Sequence, residues 1–326
     1  MKPKIVITRA TFPEIIDYLS QWFEVAHNQA DEDYDEAALT ERVRGNHGVF
    51  ASPTQRFTAA LFAACPDLKA VCNMAVGYNN IDVAAASAAG VMVTNTPDVL
   101  NETTADFGWA LMMAAARRVS ESEHFLRSGH WARWRFDDFL GVDVHGSTLG
   151  IIGMGRIGQA IARRSLGFNM KVIYHNRTRL TPALESAANQ ASYVGLEDCL
   201  RSSDHLILTL PYSPESHHLI GQAQLAMMKP TATLVNIARG GIVDDAALIT
   251  ALKNGTIAAA GIDVFENEPA FNPAFLSLSN VVLTPHIGSA STSTRIAMAY
   301  CAADNLVAAL TGKRPPHLLN PEVLGR

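Results

Sequence analysis

A chain of 326 residues suggests about two domains with ample core, and its 17% charged fraction lies below the roughly 25% usual for soluble domains, against disorder. Lys and Arg total 26 against 31 Asp and Glu, and this net charge of -5 argues against nucleic acid as a partner. The longest strictly apolar run, Trp109–Ala116, is far short of the roughly 20 residues a bilayer demands, and the four cysteines (Cys65, Cys72, Cys199, Cys301) form no CxxC, as expected of reduced thiols in a cytoplasmic protein.

The N-terminus, MKPKIVITRA, has neither a long apolar region nor a small-residue cleavage site, so no signal peptide is expected. From there short β-branched runs alternate with Ala/Leu-rich amphipathic stretches, the signature of parallel βαβ units. The first hundred residues offer strands at Lys4–Thr8, Gly48–Ala51, Lys69–Asn73 and Val91–Thr94. Helical patterns near Pro13–Gln21, Asp35–Arg44, Thr58–Ala64 and Val83–Ala89 separate them. Thr103–Arg118 reads as one helix, followed by a loop carrying Trp131 and Trp134. A second series has strands at Thr148–Gly153, Lys171–Tyr174, Ala191–Val194, His205–Leu210, Thr233–Asn236, Ala258–Ile262 and Val281–Leu283. Its helices lie near Arg156–Leu166, Gln222–Met228 and Asp245–Lys253. A final helix, Thr294–Leu310, must pack on something earlier, and periodicity does not say on what.

The clearest local signal is Gly153-Met-Gly155-Arg156-Ile157-Gly158, which follows an apolar strand and opens a helix. That is the context of a dinucleotide fingerprint: Gly153 for the tight turn, Gly155 for close approach of the pyrophosphate, Gly158 for helix–strand packing. The helix N-terminus then faces the phosphates. A bare βα turn without ligand is the plainer alternative. The fingerprint starts at residue 153, so a complete α/β unit precedes the nucleotide domain. An NAD site places Asp or Glu at the end of the second strand, yet no acidic residue lies between Asp143 and Glu185. Asn176, Arg177 and Thr178 stand there instead, with Arg179 beyond, and such groups suit a 2′-phosphate. NADP(H) is therefore the expected cofactor, with NAD(H) as a possible substitute.

Three polar residues end apolar strands: Arg239, Glu268 and His286. Singly, an arginine after a strand is commonly a surface ion pair and a lone histidine commonly structural. Their succession after a dinucleotide fingerprint points to chemistry. His217 and His218 are adjacent and poorly placed to face one metal, no HExxH or His/Cys cluster exists, and no metal site is expected. No GxSxG elbow suggests a serine nucleophile.

Taken together, Val76-Gly-Tyr-Asn-Asn-Ile-Asp82, Glu102-Thr-Thr-Ala-Asp106, Leu149–Gly158, Asn236-Ile237-Ala238-Arg239-Gly240, Gly261-Ile-Asp263-Val-Phe-Glu266 and Pro285-His286-Ile-Gly288-Ser-Ala290 resemble the D-isomer-specific 2-hydroxyacid dehydrogenase family over essentially the whole chain. Within it the chain most resembles bacterial glyoxylate/hydroxypyruvate and 2-ketogluconate reductases. The resemblance implies an α/β fold of two doubly wound parallel-sheet domains. One is a Rossmann nucleotide domain, residues 101–288. The other is a flavodoxin-like, discontinuous substrate domain, 1–100 plus 289–326, which clasps it and closes on substrate.

It also implies roles. Arg239 binds the carboxylate of a small 2-oxo or 2-hydroxy acid, and backbone N–H groups around Val76 and Gly77 hold its other side. His286 is the general acid in reduction, and Glu268 orients it and raises its pKa. Asp263 lies near the nicotinamide carboxamide, or only caps the following turn. Thr104 contacts phosphate or caps its helix, and Pro211 lines the cofactor site or merely ends a strand. Ile237, Ala238, His286 and Gly288 complete the cofactor positions. The family forms homodimers through its nucleotide domains, with Thr103–Arg118 a contact helix, and Trp134 either reaches the neighbouring site or sits in the core. The alternatives are a dinucleotide-sensing corepressor without turnover, or a dehydrogenase for another substrate such as a phosphorylated keto acid. The missing regulatory domain disfavours a phosphoglycerate dehydrogenase, and Glu268 in place of glutamine disfavours a formate dehydrogenase. Sequence does not rank the substrates.

Overall fold

The computed structural model describes residues 1–325 and divides into two units, Met1–Leu100 with Ser291–Arg326, and Asn101–Ala290. The first opens with β1 (Lys4–Ile7), α1 (Pro13–Ser20), β2 (Glu24–His27), α2 (Glu36–Val43), β3 (Gly48–Ala51), α3 (Ala59–Ala64), β4 (Ala70–Asn73), α4 (Val83–Ala88) and β5 (Met92–Thr94). The second begins with α5 (Asn101–Ala116) and α6 (Val119–Arg127). It continues through β6 (Thr148–Ile152), α7 (Arg156–Arg164), β7 (Lys171–His175), α8 (Pro182–Ala187), β8 (Ser192–Tyr193), α9 (Leu196–Ser202) and β9 (His205–Leu208). It ends with α10 (Gln222–Leu225), β10 (Thr233–Asn236), α11 (Asp245–Lys253), β11 (Ala259–Ile262) and β12 (Val281–Leu283). α12 (Thr292–Leu310) returns to the first unit.

Both sheets are parallel throughout. The first has the order β2-β1-β3-β4-β5, the flavodoxin-like arrangement. The second runs β12-β11-β10-β9-β6-β7-β8, the Rossmann order extended by one strand. Its order reverses between β6 and β9, so a ligand crevice is expected beyond the carboxyl ends of those two strands.

Strands buried on both faces explain the unbroken apolar runs. In the first unit Ile5, Ile7, Phe50 and Cys72 pack against α12 through Ala299, Ala302 and Leu306. Val6, Val49, Val71 and Val93 pack the other way, against Leu39, Val43 and Leu61. The destination of the last helix, invisible to periodicity, is thus this unit's own sheet. In the second unit Leu149 and Ile151 meet α5 and α7, and the buried Trp109 indole donates to Ile161 O at 3.1 Å.

Sequence reading omits four elements: β2, α6, α8 and α9. β2 is an edge strand with no buried residue, and no residue of α6 is buried, so neither carries a core-facing pattern. The single helix expected over Thr103–Arg118 stops at Ala116, and Arg118 turns the chain at φ 53° before α6. No helix among the described residues is long and apolar enough to cross a membrane.

Candidate active site

The carboxyl edge of the larger sheet gathers the expected residues of this unit. Gly153 leaves β6 at φ +99°, and a Cβ there would lie 2.5 Å from Leu210 N in the loop after β9. Only glycine satisfies both demands. Gly158 sits 2.6 Å (as its Cβ) from Gly153 O, so it lets α7 approach the turn. At Gly155 a Cβ would meet nothing within 4 Å, leaving open space ahead of the helix. The first intrahelical bond is Gln159 N–H to Gly155 O, so the amides before it point out of the α7 N-terminus. A glycine-lined cradle faced by helix-end amides fits a pyrophosphate.

Past β7 the structure refines the expected 2′-phosphate group. Asn176 Oδ1 accepts the Met154 amide at 2.7 Å, so its carbonyl end braces the glycine loop. Arg179, expected to meet an anion, is instead forked onto Glu185 at 2.8 and 2.9 Å. Glu185 also accepts from the buried Tyr174 hydroxyl, and those donors hold its carboxyl at about 2. Arg179 is therefore structural. Arg177 and Thr178 are exposed. Arg177 lies close enough to Glu215 to help keep that carboxylate below its ordinary value, after the Ser213 hydroxyl and a backbone amide. Pro211, between β9 and Ser213, borders the same loop.

Arg239 follows β10 in a turn built by Asn236. The Asn236 amide accepts from Ala238 N at 3.0 Å and donates to Arg239 O at 3.2 Å, and Ile237 and Ala238 are buried beneath. A Cβ on Gly240 would fall 1.7 Å from Phe265 O, so this turn presses backbone to backbone against the segment leading to Glu268. Burial lowers the Arg239 pKa from its very high ordinary value while the charge of Glu268 opposes the fall, and the guanidinium stays cationic. Its Nη1 donates to Ala238 O at 2.6 Å.

Glu268 joins this arginine to the histidine. Its Oε1 accepts the Phe265 amide at 2.7 Å and its Oε2 lies 2.8 Å from His286 Nδ1. Burial alone would raise its pKa; the His286 hydrogen bond and charge, the Phe265 amide and Arg239 outweigh that and hold it below the ordinary carboxylate range. A carboxylate only accepts, so Nδ1 carries the hydrogen and Nε2 faces outward. Among the described residues Nε2 has no hydrogen-bond partner, and 44% of the His286 side chain is exposed.

The turn holding His286 is fastened from within. Asp263, only 2% exposed at the end of β11, accepts from Thr284 Oγ1 (2.7 Å), Ile287 N (2.8 Å) and Gly288 N (2.8 Å). Burial raises its pKa against those three bonds. Its hydrogen bonds thus cap the turn that carries His286, the plainer of its two expected roles. Thr104, in the first turn of α5, packs beside Gly288.

Sequence reasoning passes over Asn236 and Thr284, although a polar residue ending an apolar strand is itself a signal. It also misses a grouping elsewhere: His217, His218 and Glu266 bring one ligand atom each within 4.8 Å of one another. The two rings stack with centroids 3.9 Å apart and planes 23° apart, and Glu266 is engaged by His218 Nε2. Trp134 is 74% exposed, which removes it from the core.

Residues 109–288 match the family model "D-isomer specific 2-hydroxyacid dehydrogenase, NAD binding domain". The chain is 48% identical to the glyoxylate reductase of Thermococcus gammatolerans, covering 99% of this chain and 98% of that protein. It is 46% identical to the glyoxylate reductase of Aeropyrum pernix, covering 99% and 97%. Among solved structures, an NADPH-dependent glyoxylate/hydroxypyruvate reductase from Sinorhizobium meliloti, in complex with NADP and malonate, superposes with a TM-score of 0.88 at 36% identity over 99% of this chain and 98% of that one. Similarity end to end, with the dinucleotide loop and the Arg239, Glu268 and His286 side chains on one sheet edge, makes this chain a member of the D-isomer specific 2-hydroxyacid dehydrogenase family, an enzyme that uses a nicotinamide dinucleotide.

Proposed function

We propose that the protein reduces small 2-oxo acids to D-2-hydroxy acids with NADPH, glyoxylate, hydroxypyruvate and 2-ketogluconate being the candidate substrates. The observation carrying this reading is the His286–Glu268 hydrogen bond beside Arg239, on the sheet edge that bears the glycine loop. Arg239 binds the substrate carboxylate through its planar fork. Amides of Val76 and Gly77 hold a carboxylate oxygen, which makes the smaller unit the substrate domain. NADPH, when bound, supplies the hydride. His286 Nε2–H protonates the 2-oxo oxygen, and Glu268 keeps the ring oriented and stabilises its cationic form. In the reverse direction Nε2 accepts the alcohol proton. Gly153, Gly155, Arg156, Ile157 and Gly158 cradle the pyrophosphate, with Thr104, Pro211, Ile237, Ala238, Asp263 and Gly288 around the remainder of the cofactor. Asn176, Arg177 and Thr178 mark the 2′-phosphate end. The relatives' names support glyoxylate, and the Sinorhizobium meliloti neighbour supports NADP.

The test is oxidation of NADPH and NADH, followed at 340 nm, against that panel of acids. NADPH should be preferred, and Arg177→Ala should raise the KM for NADPH about tenfold while leaving that for NADH unchanged, as expected for one charge-assisted phosphate contact. Better turnover with NADH would overturn the cofactor assignment. No turnover on any 2-oxo acid would favour a dinucleotide-sensing protein instead.

A homodimer through the larger unit belongs to the same reading. α6 buries none of its residues, and Val119, Leu126, Trp131, Trp134, Phe136 and Leu140 stand exposed on it and the following loop, a concentration normally covered by a partner. Light scattering should give twice the chain mass, and replacing Trp134 and Phe136 with serine should weaken association; a monomer at micromolar concentration would refute it.

A further inference from the structure

The segment following β4 departs from the usual loop in one respect: its successive carbonyls are each taken by the fold. Ala75 O accepts the Thr96 amide at 2.9 Å. Val76 O accepts Asn95 Nδ2 at 2.8 Å, and Gly77 O accepts Asn73 Nδ2 at 2.9 Å. A planar trans peptide sets each N–H opposite the preceding C=O. Because the carbonyls of Ala75 and Val76 both turn toward the Asn95–Thr96 segment, the amides of Val76 and Gly77 both turn away from it. Among the described residues neither amide has an acceptor. Two adjacent N–H groups aimed the same way form a nest suited to a carboxylate oxygen.

The grips are themselves braced. Asn73 is fully buried and shares its amide with Asn80, which donates in turn to Ser52 O and Gln55 O at 3.3 and 3.0 Å. Asn95 is 8% exposed, and its own carbonyl accepts from Asn305 Nδ2 of α12 at 3.3 Å. Asn305, fully buried, also accepts the His317 amide at 3.1 Å. Gly77 lacks a Cβ, so without these donors the peptides on either side of it have freedom to rotate. Asparagine suits the task because its uncharged amide donates to a carbonyl; an aspartate would face the carbonyl with negative charge.

We propose that Asn95 and Asn73 are positioning residues for the substrate carboxylate: by pinning the Val76 carbonyl Asn95 aims the Gly77 amide of the same peptide at it, and by pinning the Gly77 carbonyl Asn73 holds the next peptide so that Gly77 cannot swing that amide away, with Asn305 steadying Asn95 from α12. This rests on the function proposed above. The test compares Asn95→Asp, Asn95→Ala and Asn73→Ala with the wild type, measuring kcat, the KM for glyoxylate and for NADPH, and inhibition by oxalate, a carboxylate that accepts no hydride. Each folded variant should show the KM for glyoxylate and the oxalate inhibition constant rising together by about five- to tenfold, most for Asn95→Asp, with the KM for NADPH unchanged. Asn95 and Asn73 grip different carbonyls, so either series alone decides the matter if the other fails to fold. A fall in thermal stability with both glyoxylate and oxalate constants unchanged overturns the inference, and so does a parallel rise for keto acid and dinucleotide. Absence of wild-type turnover on every 2-oxo acid overturns the proposed function and this inference together.

Discussion

Replacing His286 with alanine is expected to lower kcat for 2-oxo acid reduction by about 10²–10⁴, the usual contribution of a positioned general acid. The histidine turn does not depend on the ring for its shape. Asp263 holds it through Thr284, Ile287 and Gly288, and the His286 amide bonds to Asp263 O and Thr284 O. The variant should therefore fold and bind dinucleotide normally, and the loss should fall on kcat, with KM for NADPH little changed. Glu268→Gln retains an acceptor for Nδ1–H but removes the charge that steadies a protonated ring, so its kcat should fall between wild type and His286→Ala. Steady-state kinetics with glyoxylate measures both. A His286→Ala enzyme within a few fold of wild type would remove the histidine from the chemistry.

Arg239→Ala should reduce kcat/KM by about 10²–10³, the scale for removing one partner of a desolvated charge pair. The loss should divide differently from that of the histidine variant. A carboxylate clamp acts on bound substrate and on the transition state alike, so KM for the keto acid rises first, and kcat falls as the 2-oxo oxygen loses its orientation. Arg239→Lys keeps the charge without the planar fork and should recover only part of the activity. The fold should survive, because Glu268 keeps His286 and the Phe265 amide as partners once the guanidinium is gone. Removing Arg239 also takes away one of the groups holding Glu268 below its ordinary range, so the carboxylate should titrate higher in the variant. An unchanged KM for the keto acid would rule out carboxylate binding.

Family and fold class were legible because their signals are local. Gly153, Gly155 and Gly158 lie on one turn, and each apolar strand declares itself within a few residues. Arg239, Glu268 and His286 were legible as types at strand ends. What brings them together was not. The contact that forces Gly240 against Phe265 O joins segments 25 residues apart, and it shows in sequence only as an unexplained Gly-Gly pair. Arg179 shows the converse error: a basic run after a Rossmann strand reads as one anion site, yet Glu185, six residues on, claims the second arginine. Charge counting cannot tell which cations are already spent. The asparagines at 73, 95 and 236 were passed over for a related reason, since amide side chains act by holding carbonyls whose positions only the fold supplies.

The return of α12 to the first unit bears on how the protein is made. As the chain leaves the ribosome, the face of Ile5, Ile7, Phe50 and Cys72 is met by Ile15 and Leu19 of α1 but not by α12, which packs over the rest of it and is encoded after the inserted unit. The inserted unit, Asn101–Ala290, is synthesised whole before that helix appears. Order of synthesis and order of completion are thereby inverted for the two units: the segment made before the inserted unit is completed after it. Until then one face of its sheet is open to association with other nascent chains.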